Sequence, residues 1–381
     1  MKKVLHVIDA LNVGGAQELL ALLAKHKGDA FAMSVCVLQP VLDLKSRIES
    51  HGVRVHALNR TRCSILHPLD FLRYGLGNLL DILRICREER IDIVHAHLSD
   101  AEFLGFFASL LGCAKRFCIT VHTPKLLPEE RGRGLRNTVR GLLMRLLYRK
   151  ANAVVAVSKD TAALLRDQYA VDPATLRIIA NGVETRALAE HRPAFGREAL
   201  GLAAGGHVLL CVGRLTLAKG HRYLLEAVRL LAPRIPGLRL LVAGDGELRD
   251  ELRQMARTLD VTGQVVFMGS RTDIPDLLAL SDIVVSASVF EGTSLALMEA
   301  MAAGKPIVAT AIPGNLELLE NGVNAVLAPP ADASMLAQAI TRIIQEKGLA
   351  EALGRHAREK AQSEFDIMAV IRKYIEVWGI C

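Results

Sequence analysis

The chain has 381 residues, 51% hydrophobic and 23% charged, with a formal net charge of +7. At roughly 150 residues per domain this leaves room for two domains, and an ordinary composition without low-complexity tracts excludes disorder, collagen and coiled coil. Seven cysteines (Cys36, Cys63, Cys86, Cys113, Cys118, Cys211, Cys381) are scattered and never spaced C-x-x-C, which argues against a disulfide framework or zinc knuckle and for a cytoplasmic setting. The longest run free of Asp, Glu, Lys and Arg, residues 199–213, spans about fifteen residues and carries four glycines, short of the ~18 that a spanning helix needs. His6 and Asp9 interrupt the N-terminal apolar stretch, so no signal-peptide core forms there. Residues 101–150 hold ten Lys and Arg against three Asp and Glu, a surplus equal to that of the whole chain. An anionic partner for the N-terminal half follows from that asymmetry.

In chain order, Lys3–Asp9 reads as a buried parallel strand, followed by a glycine loop and a helix over Ala16–His26. Continuous apolar strands alternating with helices point to a sheet covered on both faces. Further strands are expected at Ser34–Leu38, Val53–Leu58, Ile93–Ala96, Phe117–Val121 and Ala153–Val157, with helices between and Ser158 as an N-cap. Phe103–Ala114, apolar on all faces, reads as a buried helix. Residues 184–197 look like a linker. The alternation then restarts with strands at His207–Val212, Arg239–Ala243, Val265–Met268, Ile283–Ala287, Pro306–Thr310 and Ala325–Leu327. Helices are expected over Gly220–Leu231, Gly246–Leu259, 273–280, 294–303, 314–320, 332–347 and 349–362, with a last one at Asp366–Trp378. The expected fold class is α/β: two doubly wound Rossmann-like domains facing across a cleft, with ligands at the carboxyl ends of the strands.

Residues 131–150 form an amphipathic helix candidate. Leu135, Val139, Leu142, Leu143, Leu146 and Leu147 fall within about 140° of the helical wheel, with arginines mostly outside. The stripe is expected to face the core. The seven cations in these twenty residues, Arg136, Arg140, Arg145 and Arg149 among them, also suit an anionic membrane surface. Nucleic acid is not expected, because the basic stretch lacks interleaved aromatics and no DNA-binding module is visible.

The candidate site residues lie at strand ends. Gly14–Gly15 opens the first helix, where backbone amides can approach a phosphate; a plain tight turn is the competing reading. Arg214 and Lys219 flank the end of strand 207–212 and suit a pyrophosphate. Glu291 follows strand 283–287, and the helix after it is expected to begin near Thr293, so that the amides of Thr293, Ser294 and Leu295 point outward, with Glu299 further along for ribose hydroxyls. His122 follows strand 117–121 and is placed to hydrogen-bond or move a proton. His95 and His97 share one side of a strand, but no third metal ligand is apparent, so they read as structural. The absence of any D-x-D removes the usual carboxylate pair for a sugar-nucleotide metal.

NVGGAQ (12–17), DIVHAH (92–97), VHT (121–123), AVS (156–158), ANGVE (180–184), VGRLTLAKG (212–220), VAGDGE (242–247), FMGSRTDI (267–274), the E-x₇-E stretch from Glu291 to Glu299, AAGKPIVAT (302–310) and ENGVNAVLAPPAD (320–332) follow one another in register. In these motifs the chain resembles the family-4 glycosyltransferases of the GT-B fold, almost end to end. The resemblance implies a retaining, metal-independent enzyme without a cofactor that uses a nucleoside-diphosphate sugar, UDP favoured over GDP. It implies an acceptor-binding domain, 1–180, joined by the C-terminal helix, 365–381, and a donor-binding domain, 184–363. Gly15 would offer its amide to the diphosphate, Arg214 and Lys219 its counter-charges, and Gly269 and Arg271 would line the base. Glu299 would hold the ribose; Glu291, with Gly292, would meet the donor sugar, and His122 the transferring sugar or acceptor. A lipid-linked or phosphorylated glycan acceptor at the inner membrane face is expected, with peripheral attachment there. A soluble acceptor, a sugar-nucleotide epimerase and a catalytically silent nucleotide-binding protein are the alternatives.

Overall fold

The computed structural model describes the chain apart from residues 13, 63–66, 123–134, 203–204 and 381, and apart from the side chains of 68 and 135–140. It divides into two compact units, Met1–Gly182 with Ile367–Cys381, and Val183–Asp366.

The first unit is built on seven parallel strands: β1 (Lys3–Ile8), β2 (Ala32–Val37), β3 (Arg54–Ala57), β4 (Ile93–His97), β5 (Arg116–Val121), β6 (Ala153–Ala156) and β7 (Leu176–Ile178), in the spatial order β3-β2-β1-β4-β5-β6-β7. Its helices are α1 (Gly15–His26), α2 (Lys45–Glu49), α3 (Pro68–Glu89), α4 (Ser99–Leu110), α5 (Leu135–Lys150) and α6 (Lys159–Tyr169). Alternate strand residues enter two cores. Val4, Ile8, Val35 and Val37 pack on the α1 side, and Leu5, Val7, Val94, Ala96 and Ile119 pack on the side of α3 to α6. Covering both faces is what makes these strands read as unbroken apolar runs.

The second unit repeats the plan with β8 (Val208–Val212), β9 (Arg239–Ala243), β10 (Val265–Gly269), β11 (Ile283–Ser286), β12 (Ile307–Thr310) and β13 (Val326–Ala328), ordered β10-β9-β8-β11-β12-β13. Its helices are α7 (Thr185–Ala189), α8 (His221–Leu231), α9 (Arg249–Thr258), α10 (Ile274–Leu280), α11 (Leu295–Ala302), α12 (Pro313–Leu316), α13 (Ala333–Gln345) and α14 (Leu349–Glu364).

The last helix, α15 (Ile367–Trp378), belongs to the first unit. Tyr374 and Trp378 are fully buried there, and Trp378 meets Phe31 edge-on at 4.8 Å between ring centroids. Arg116 caps the helix end by donating to the Val377 carbonyl at 3.3 Å. The return of this helix to the N-terminal sheet is what the family resemblance implies.

Three expectations are corrected. Within the described part of α5, most of the leucine stripe does not face the core: Leu142, Leu143 and Leu146 are 67%, 40% and 46% exposed, and of its described members Leu147 alone is buried. Gly141, Met144 and Tyr148 are buried beside Leu147. The helix carries apolar residues on two arcs, and the arc with the small Gly141 is the one that sits down. Leu135 and Val139, like the side chains of Arg136 and Arg140, lie outside the described residues. Secondly, α4 begins at Ser99 and is not buried all round, since Phe107 and Leu110 stand exposed on its outer face. Thirdly, the helix expected over 314–320 stops at Leu316, where Leu318 and Leu319 both donate back to the Asn315 carbonyl and close a turn.

Replacing Trp378 by Ala is expected to destabilise the first unit by about 3–5 kcal/mol, the usual cost of deleting a buried aromatic. Urea unfolding followed by circular dichroism measures it, and a change under ~1 kcal/mol would contradict this account of α15.

Candidate functional site

Each sheet has one place where the winding reverses. In the second unit it lies between β8 and β11, from which the chain builds outward in opposite directions. Loops leaving such a pair diverge and open a crevice at the strands' carboxyl ends. Lys219 sits here, in a single 3₁₀ turn (Leu217–Lys219) after β8, and Glu291 follows β11. The two form an ion pair between Nζ and Oε1, and the second carboxylate oxygen accepts a hydrogen bond from Ser288 Oγ at 3.0 Å.

The pairing depends on close backbone approach. Gly220 has φ +63°, and a Cβ there would lie 2.1 Å from the Ala287 carbonyl oxygen. Val289 donates to the Ala218 carbonyl at 2.8 Å and laces the two loops together. On the other side, a Cβ at Gly314 would fall 1.8 Å from the Gly292 carbonyl oxygen. Gly314 thus holds α12 against the Glu291–Gly292 backbone.

Ser294 is the N-cap of α11, so the free amides at this end begin one to two residues later than Thr293. Leu295 opens the helix, and Glu299 is half-buried further along it. Arg214 is exposed after β8 and makes no ion pair among the described residues. Gly269, at φ +68°, ends β10 at a register shift. Arg271 beyond it donates to both oxygens of Asp273, through Nε at 2.8 Å and Nη2 at 2.5 Å. These bonds hold the Asp273 carboxyl below its usual range. Sequence reasoning missed Ser288 and Gly314; the S-A-S run after β11 and the Pro-Gly after β12 were the available signals.

In the first unit the reversal lies between β1 and β4. Gly14 is the N-cap of α1 and Gly15 its first residue. A Cβ on Gly15 would stand 3.5 Å from the Asn181 amide nitrogen. Parallel register sets His6 beside His95 and Ile8 beside His97, and His97 beside Thr120. His122 follows β5. A row of rings results: His6 Nδ1 lies 3.0 Å from His97 Nε2, and His97 Nδ1 lies 3.1 Å from His122 Nε2. Trp378 Nε1 donates to His95 Nδ1 at 2.9 Å, which leaves the His95 proton on Nε2, donating to Thr120 Oγ1 at 2.8 Å. The turn after β4 is strained, with Leu98 at φ 72°, ψ 170°, a region nearly confined to glycine that costs roughly 1–3 kcal/mol. Asp9 holds that turn by accepting from the Ala101 amide at 2.8 Å.

His6 therefore supplies the third histidine that the sequence did not show beside His95 and His97. The cluster is nevertheless poor as a metal site. Both His95 nitrogens are engaged by Trp378 and Thr120, and the His95 ring stacks on His97 at 4.6 Å instead of turning a lone pair towards it. Burial lowers His6 to about 3 and His122 to about 4. It also holds His95 and His97 well below the ordinary range. All four rings are neutral at pH 7, so His122 is a hydrogen-bonding group and a poor base.

The fold and these strand-end sites define a glycosyltransferase of the GT-B class. The family model described as Glycosyltransferase Family 4 matches residues 13–187, and that described as Glycosyl transferases group 1 matches residues 195–360. The chain belongs to family 4 of the glycosyltransferases. It is 27% identical to the UDP-Gal:alpha-D-GlcNAc-diphosphoundecaprenol alpha-1,3-galactosyltransferase of Escherichia coli, over 80% of this chain and 79% of that one. It is 25% identical to a Campylobacter jejuni enzyme named N-acetylgalactosamine-N,N'-diacetylbacillosaminyl-diphospho-undecaprenol 4-alpha-N-acetylgalactosaminyltransferase, over 98% of both chains. The crystal structure of Anabaena Alr3699/HepE in complex with UDP-glucose is similar over 100% of both chains, with a TM-score of 0.83 at 25% identity.

The buried histidines make a prediction about acid. In the unfolded chain each titrates near 6.5, so below that value the unfolded state binds more protons and folding is opposed. Stability is full above about pH 6.5 and falls below it, by up to ~1.4 kcal/mol per pH unit for each histidine. The urea midpoint of the first unit is expected to be flat between pH 7.5 and 8.5 and lower at pH 5.5. An unchanged midpoint at pH 5.5 would contradict the burial of these rings. In the second unit, Gly314→Ala is expected to displace the Glu291 loop and lower turnover at least tenfold, a loss of about 1.4 kcal/mol in transition-state stabilisation. Steady-state kinetics reads this directly.

Proposed function

We propose that the chain is a retaining, metal-independent transferase that moves a sugar from a UDP-sugar to a lipid-linked or phosphorylated glycan acceptor, working in the cytoplasm at the inner membrane face. The observation that carries this reading is the Lys219–Glu291 pair at the winding reversal of the second sheet, beside the amide end of α11.

As the bond between the sugar and the diphosphate breaks, negative charge gathers on the departing group. Lys219, Arg214 and the first amides of α11 are the groups proposed to stabilise it, being in place before the charge develops. Glu291 orients Lys219 and offers an oxygen to the donor sugar's hydroxyls, and Glu299 takes the ribose. Gly269 and Arg271 are assigned to the base. In the other unit, His122 is assigned to the transferring sugar or the acceptor, and the amide end at Gly14–Gly15 to the diphosphate. Retention is proposed to proceed by same-face attack, with the leaving diphosphate helping to deprotonate the acceptor. Trapping a covalent glycosyl-enzyme would refute that step.

The acceptor class draws on the printed names of the Escherichia coli and Campylobacter relatives, both of which specify undecaprenol-linked acceptors, and the donor on UDP-glucose in the Anabaena structure. The surface supports the same choice. Among the described residues no helix is long and apolar enough to cross a membrane. Yet α3, α4 and α5, which cover one face of the first sheet, expose Leu69, Leu72, Leu76 and Leu80, Phe107 and Leu110, and Leu142, Leu143 and Leu146. Arg145, Arg149 and Lys150 stand exposed next to the last group. Leucines that reach an acyl boundary, beside cations worth ~1 kcal/mol each near anionic headgroups, suit a peripheral attachment.

A panel of UDP- and GDP-sugars scored for nucleotide release, with and without a membrane lipid extract, tests the reading. UDP-sugars are expected to turn over, and the extract to raise the rate. Lys219→Ala is expected to lower kcat by about 10²–10³, as losing one preorganised charge-stabilising donor does, and EDTA to leave it unchanged. Loss of turnover in EDTA would overturn the metal-independent mechanism. Flotation with vesicles containing phosphatidylglycerol is expected to carry the protein, and Arg145→Glu with Arg149→Glu to abolish it. Equal flotation on neutral vesicles would contradict an electrostatic attachment.

A further inference from the structure

The His6–His97–His122 row does more than fill space. His97 has an imidazole nitrogen at hydrogen-bonding distance from each of its own ring nitrogens. Neutral imidazole carries one proton, so His97 donates at one end and accepts at the other. The three rings therefore share two self-consistent arrangements. In one, every proton points towards His6, and His6 Nε2–H is left over. In the other, every proton points towards His122, and His122 Nδ1–H is left over.

The two ends differ. His6 is fully buried, and its Nε2 has no partner among the described residues. His122 is partly exposed as a residue, although its Nδ1 is itself buried and likewise has no partner among the described residues. A buried N–H without an acceptor is costlier and rarer than an acceptor left idle. Both orphan nitrogens are buried, so the ends are told apart by access: only the His122 end belongs to a partly exposed residue, and a ligand that reaches it can accept the proton there.

The structure assigns to this row the role of a tautomer relay: His6 and His97 are positioning residues that fix His122 as the Nδ1–H tautomer, an uncharged hydrogen-bond donor for an oxygen of the sugar or its diphosphate. No net proton is lost or gained. If a bound group instead donates to His122 Nδ1, the relay shifts one proton in each ring towards His6, and His122 becomes an acceptor while staying neutral. Burial of all three rings keeps the row from storing a positive charge in either state. The inference rests on the proposal that His122 meets substrate.

The test uses the full chain labelled with ¹⁵N-histidine. Long-range ¹H–¹⁵N spectra at pH 7 are expected to show His122 protonated at Nδ1 and bare at Nε2, with couplings across both N–H···N bonds. His97→Phe is expected to release His122 to a mixture of tautomers. It should also lower UDP release from UDP-glucose, UDP-galactose or UDP-N-acetylglucosamine, whichever the wild type turns over. The expected drop is about tenfold in kcat with KM unchanged, the effect of one hydrogen bond made in the transition state. His6→Asn keeps a donor and acceptor near the Nδ1 position and is expected to recover most of the rate. An Nε2-protonated or doubly protonated His122 in the wild type overturns the relay, and this holds even if the variants fold poorly. So does a His97→Phe variant whose His122 signals are unchanged. If His122→Ala leaves UDP release untouched while the wild-type couplings are present, the substrate-facing reading of His122 fails and the relay geometry stands.

Discussion

Both halves of the molecule depend on one topological constraint. A parallel sheet that is extended first to one side and then to the other must contain a pair of neighbouring strands whose following loops part company. In the first unit that pair is β1 and β4, and in the second β8 and β11. Everywhere else on the carboxyl edge, consecutive connections crowd one another. At the reversal the backbone amides, the helix ends and short side chains are left open to a ligand. The loops after β8 and β11 meet at that gap, which is why residues far apart in sequence, such as Lys219 and Glu291, become neighbours.

The gap is useful only if its walls are held still. In the second unit this is done by backbone touching backbone: Gly220 against Ala287, and Gly314 against Gly292. In both cases a methyl group would collide with a carbonyl oxygen, so the constraint is steric and independent of solvent. In the first unit the holding is done by rings and one strained turn. Trp378, brought back by α15, fixes the His95 proton, and Asp9 ties down the turn at Leu98. The second unit thus presents fixed charge, and the first presents neutral donors in a dry setting. A group leaving with negative charge is best met by the former, and a sugar or hydroxyl that must be oriented without being ionised by the latter.

Much of this could be read from the sequence, and what could not has a physical reason. Strands buried on both faces give unbroken apolar runs, so β1, β4, β8 and β11 were legible within a residue or two. The glycine-rich loops and the strand-end cations were legible because strand ends are where α/β sheets bind ligands. His6 was not, since its place beside His95 follows from the register of β1 on β4, a pairing across nearly ninety residues that no local pattern encodes. Nor was the seating of α5, because a helix with apolar residues on two arcs carries no local mark of which arc is buried. The buried arc is the one that carries Gly141, Met144, Leu147 and Tyr148.

The seating of α5 bears on function as well as on fold. Had the leucines of that helix been core, the basic stretch would have presented charge alone, which attracts an anionic surface without entering it. With Leu142, Leu143 and Leu146 outward beside Arg145 and Arg149, the same helix offers both long-range attraction and short-range burial. Charge acts within about a Debye length, ~8 Å at physiological salt, and apolar burial acts on contact. Either one alone gives weak and reversible adhesion. Together they can hold a protein against a membrane without a spanning helix, which is the attachment proposed for this chain.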